Sequence, residues 1–96
     1  MRDRNDQWVG QAIEQFLKEY NSSDKLKEAR IVSLWSKIVG PVFSNHTVSI
    51  YLKHRFLYIR MDAASVKHEL YMARTILIKN LNAELGENII EKIIFQ

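Results

Sequence analysis

Past Pro41 the spacing of apolar residues in this chain changes from a period of 3.6 to a period of 2, and past Met61 it changes back. A helix repeats its apolar face at steps of three and four residues, and a strand repeats it at every second residue. A chain that does both must build helices and a sheet around a shared core, which predicts an α+β fold.

From Trp8 to Tyr20, the residues Val9, Ile13, Phe16, Leu17 and Tyr20 fall on one helical face. Glu14 and Lys18 form the favourable i,i+4 pair on its wet side, and Asn5 or Asp6 can cap its first free N–H groups. Asn21-Ser22-Ser23-Asp24 interrupts with turn and cap formers, and a second helix starts there with Leu26, Ile31, Leu34, Trp35 and Ile38 as its apolar set. Gly40 ends it as a left-handed cap, and Pro41 cannot continue the ladder.

After a short connection containing Val42 and Phe43, the inward set Val48, Ile50 and Leu52 alternates with Ser49, Tyr51 and Lys53. Lys53-His54-Arg55 reverses the chain, and Leu57, Ile59 and Met61 then alternate with Phe56, Tyr58 and Arg60. The pair reads as an antiparallel hairpin. Its turn lacks glycine, so one turn residue must sit near the left-handed region at a cost of about 1 kcal/mol.

A third helix is predicted from Ser65, its N-cap, to Leu85, with Val66, Leu70, Ala73, Leu77 and Leu81 on its buried stripe and Gly86 closing it. The tail from Asn88 to Phe95 is rich in β-branched residues with apolar side chains on both faces, the pattern of the most buried strand of the sheet. The order is α-α-β-β-α-β, and the simplest architecture that buries every stripe is a three-stranded sheet with helices packed on one face.

Ninety-six residues supply one core, so residues 1–96 are expected to be a single domain. Hydrophobic residues make up 47% and charged residues 26%, the balance of a globular domain. The absence of cysteine excludes disulfides, thiolate metal sites and a cysteine nucleophile. The charged N-terminus is no secretory signal and no apolar run of about 18 residues occurs, which points to a cytoplasmic protein without a membrane partner. The net charge of +3 is unevenly placed: residues 31–79 hold seven basic side chains against two acidic ones. That asymmetry favours an anionic partner.

Catalysis finds little support. His46, His54 and His68 lack metal-ligand spacing, Gly10, Gly40 and Gly86 are isolated and form no phosphate loop, and no nucleophile motif occurs. Asp62 and Glu69, the acids of the basic segment, sit where they can favour the start of the third helix. No enzyme chemistry and no cofactor are therefore expected; a small enzyme is the weakest alternative, since no acid, base and nucleophile can be named. His46 and Thr47 are expected to hold the end of the second helix against the first strand through bonds from side chain to backbone.

The hairpin is more informative. Tyr51, Lys53, Phe56, Tyr58 and Arg60 share the face turned away from the core, and aromatic and basic side chains on an exposed sheet can stack bases and neutralise phosphates. The competing explanation is that the first helix or a partner covers this face. Tyr51, Lys53, Arg55, Tyr58 and Arg60 are the candidate nucleic-acid-binding residues, joined by Lys67 and Arg74 of the third helix, where Lys79 extends the basic face. Trp35 belongs to a core stripe, whereas Trp8 at a helix start is a candidate anchor for a protein partner.

Six elements follow one another along the chain: Trp35-x-x-Ile38-Val39-Gly40-Pro41, His46-Thr47, Leu57-x-Ile59, Glu69-Leu70, Leu81-Asn82-x-x-x-Gly86 and Ile93-x-Phe95. From about residue 8 to the C-terminus the chain thereby resembles the DciA family, bacterial accessory factors that help load the replicative helicase. The resemblance implies a KH-like domain, DNA binding in single- or double-stranded form with RNA as an alternative, contact with a DnaB-type helicase, and no catalytic residue. The chain departs from the family pattern at Val66, where tryptophan is frequent, at Arg55, where glycine is frequent, and in ending at Gln96 without the extension of longer members. It also lacks the G-x-x-G loop with which KH domains clamp nucleotides, so any strand must be held differently. A protein-only interaction or oligomerisation module is the main alternative.

Overall fold

The computed structural model describes residues 10–15 and 23–96. Residues 10–15 are helical and exposed, Ile13 included; the rest of the expected first helix, with Trp8 and the Glu14–Lys18 pair's lysine, lies outside the described residues. Helix α1 spans Asp24–Val39, and the Ser23 side chain caps it by accepting the Leu26 N–H. Gly40 stops it with φ 87° and ψ 169°. The positive φ was expected, but the ψ is not that of a left-handed helical cap; this region is open essentially to glycine alone. Pro41 then starts a new turn, and the expected connection is the short helix α2, Pro41–Asn45. Proline pre-sets φ at a first helical position, and five residues are too few for a period to announce them.

Strands β1 (Thr47–Lys53) and β2 (Phe56–Met61) pair antiparallel, with Tyr51 opposite Tyr58 and Leu52 opposite Leu57. His54 takes the positive φ that the turn requires, 59°. One expectation fails: the register shifts between Thr47 and Ser49, and Val48 is 57% exposed instead of pointing inward. The bulge adds one residue, so Thr47 takes the core-side place opposite Met61.

The expected third helix is two helices, α3 (Ala64–Met72) and α4 (Arg74–Leu85), broken at Ala73. The Arg74 guanidinium bonds the Tyr71 carbonyl at 3.1 Å and lies 4.1 Å over the Tyr71 ring, satisfying an end of α3 that a continuous helix would have paired. Ala63, not Ser65, is the N-cap, and neither Asp62 nor Glu69 lies in the first turn. Gly86 closes α4 in the left-handed conformation expected, φ 80° and ψ 5°.

Strand β3 is Lys92–Phe95, shorter than expected, and pairs parallel to β2 in the order β1-β2-β3. The most buried strand is therefore the central β2, with Leu57, Ile59 and Met61 inside, and not β3. Ile89 and Ile90 are buried in the connection before β3. Asn82 explains why they need no strand partner: its Oδ1 accepts the N–H groups of Ile89 (3.1 Å) and Ile90 (2.9 Å), and its Nδ2 donates to the Ile90 carbonyl at 2.9 Å.

The core joins Ile31 and Trp35 of α1, Leu52, Leu57 and Ile59 of the hairpin, Leu70, Leu77 and Leu81 of α3 and α4, and Ile93 of β3. Helices α1, α3 and α4 thus serve one face of the sheet, in a mixed three-stranded α+β fold as expected. Helix α1 also covers part of the β1 edge: Glu28 accepts the Leu52 N–H at 2.9 Å and Asp24 the His54 N–H at 2.8 Å. Two carboxylates four residues apart on one helical face blunt an edge that would otherwise template another strand. Among the described residues no helix is long and apolar enough to cross a membrane.

Candidate nucleic-acid interface

Because the hairpin register alternates faces, its outward residues form rows: Ser49 beside Arg60, Tyr51 beside Tyr58, and Lys53 beside Phe56. Parallel pairing of β3 adds Lys92 next to Phe56 and Ile94 next to Tyr58. The Tyr51 and Tyr58 rings lie 5.9 Å apart, tilted by 45°. Tyr51 is 52% and Phe56 38% exposed, so the helices from Asp24 onward leave this surface open, while most of the expected first helix lies outside the described residues. Lys53, Arg60 and Lys92 are exposed along it, and no acidic side chain stands in these rows.

Beyond the Lys53–Phe56 row the turn widens the face into a depression of about 490 Å³, lined by Lys53, His54, Arg55, Phe56, Tyr58 and Glu91. Arg55 Nε lies 3.8 Å from Glu91 Oε2, with both side chains mostly exposed. The surface offers flat π-faces for unstacked bases and flanking cations for the phosphates between them.

The expected residues do not all converge. Tyr51, Lys53, Arg55, Tyr58 and Arg60 come together on the outer face and at its turn. Lys67 on α3 and Arg74 at the start of α4 belong to the helical layer on the opposite side, both half-buried, and Arg74 is engaged with Tyr71. Trp8 lies outside the described residues. Lys92 and Ile94 were missed, because the tail read as a strand buried on both faces; the alternation Lys92, Ile93, Ile94 was the signal available, with Ile93 alone buried.

The remaining histidine expectation is corrected in part. Thr47 does act from side chain to backbone, its Oγ1 donating to the Phe43 carbonyl at 2.7 Å while accepting the Trp35 indole N–H at 2.9 Å. His46 instead pairs its Nδ1 with the Asp62 carboxylate at 2.8 Å, and the Asp62 N–H returns to the His46 carbonyl at 3.0 Å. The Asp62 carboxylate, one residue past β2, takes the imidazole that sits one residue before β1, so the pair ties the two strand ends together rather than helix to strand.

Residues 8–95 match the family described as Dna[CI] antecedent, DciA. A comparison with curated proteins finds no match.

Proposed function

Since the chain belongs to the DciA family, we propose that it is a non-catalytic accessory domain for loading the replicative helicase, and that it holds a single-stranded nucleic acid on the outer face of its sheet. The observation that carries the second half is the row structure of that face: two tyrosines and a phenylalanine, exposed or half-exposed, flanked by Lys53, Arg60 and Lys92 with no carboxylate among them. Paired bases keep their π-faces stacked on one another, so a single strand gains most from such a surface.

The test is an anisotropy titration with single-stranded DNA, duplex DNA and single-stranded RNA at equal ionic strength. Tighter binding of single strands, weakened by Tyr58→Ala, is the expected result. Binding that ignores the hairpin and responds to substitutions at Lys67 or Lys79 would move the interface to the helical side. The protein-only reading draws on a different observation: Met72 and Ile76, 68% and 65% exposed on either side of the α3–α4 break, with Tyr71 exposed beside them. Such an apolar patch suits a protein surface. Absence of nucleic-acid binding at low salt, with helicase association retained and lost on Ile76→Lys, would favour it.

A further inference from the structure

The depression at the hairpin tip combines opposite charges in a way that a simple phosphate site would not. Lys53, His54 and Arg55 supply donors, Phe56 and Tyr58 supply an aromatic wall, and Glu91 supplies a carboxylate. A carboxylate weakens a site whose only task is to neutralise phosphate. Arg55 pairs with it only loosely: the ion pair spans 3.8 Å, beyond hydrogen-bond range, with the side chains 56% and 64% exposed, which leaves the carboxylate free to accept a hydrogen bond from a ligand. The placement of Glu91 is nevertheless fixed by the backbone, because its N–H donates to the Arg55 carbonyl at 2.8 Å, joining the start of β3 to the turn.

Resting on the reading of the outer face given above, we infer that this depression is a subsite for one unstacked nucleobase bearing an exocyclic amino group, and that Glu91 determines its specificity by accepting a hydrogen bond from that group. The base stacks on Phe56 or Tyr58, and Lys53 and Arg55 take the adjoining phosphates. Cytosine presents an amino donor at the position where thymine presents a carbonyl oxygen. A carboxylate accepts from the first and repels the second.

The experiment compares short oligo-dC and oligo-dT on the full chain at low salt, by fluorescence anisotropy. The parent binds oligo-dC about fivefold more tightly, the lower end of what one base-edge contact gives. Glu91→Gln, whose amide offers both a donor and an acceptor, brings that ratio close to one, chiefly by improving oligo-dT binding. Equal affinities in the parent, or a preference that persists in Glu91→Gln, would overturn the inference. So would a parallel gain for both strands, which would make Glu91 only a charge at the rim. Tyr58→Ala, measured alongside, separates the two levels. If it weakens both strands while the parent shows no dC preference, the base subsite fails and the outer-face reading survives. If it changes neither, the outer face is not the interface and both fail.

Discussion

Trp35 is buried, 2% exposed, and its one polar atom has a partner in Thr47, which bonds the Phe43 carbonyl in turn. This chain of bonds fixes how α1, α2 and the start of β1 meet. Trp35→Ala removes both packing and polar partner, and should cost about 3–5 kcal/mol, read by thermal or urea unfolding. Thr47→Val keeps the shape but orphans the indole N–H, and should cost about 1–3 kcal/mol. The His46–Asp62 pair is exposed, so His46→Ala should change stability by about 1 kcal/mol or less. A His46 variant that unfolds as readily as the Trp35 variant would show that the strand ends, and not the indole, organise this corner. At this scale the sequence was legible wherever side-chain size alone decides burial, as for Trp35, and less so for His46, whose partner is distant in sequence.

The elements were legible by periodicity, and their interruptions were not. The bulge at Val48, the break at Ala73 and the late start of β3 all depend on groups far along the chain or on a side chain standing in for the ladder. Alanine is the best helix former, so nothing local at Ala73 signals a break. Ile89 and Ile90 have the composition of a strand, yet Asn82 satisfies their backbone from α4 and holds them as a connection. Asn82→Ala should therefore leave the buried Ile90 N–H and carbonyl unpaired and the Ile89 N–H with the Glu87 carbonyl alone. The expected loss is about 2–4 kcal/mol, with faster amide exchange at Glu91 and Gln96, whose N–H groups bond β2 and its turn just beyond the pinned segment. Unchanged exchange at those amides would mean that β3 is held by its packing alone.

For the whole molecule, the sheet divides a helical core side from an open side that carries aromatic and basic rows. The period-2 pattern made the open side legible, because alternation assigns faces without knowledge of the third dimension. It could not reveal that Lys67 and Arg74 lie behind the sheet, since charge counted along a sequence carries no direction in space. That division gives the proposal a quantitative test. If Lys53, Arg60 and Lys92 each contact a phosphate, log affinity for a single strand should fall with log salt at a slope of about −2. Arg60→Glu should weaken all sequences alike and make the slope shallower by about 0.7 or more, because fewer counterions are released. Tyr58→Ala should cost roughly 1–3 kcal/mol of binding and leave the slope as it was, because stacking releases none. A slope that stays the same in Arg60→Glu and becomes shallower in Arg74→Ala would put the electrostatic surface on the helical side, and the tyrosines of the sheet would then need another explanation.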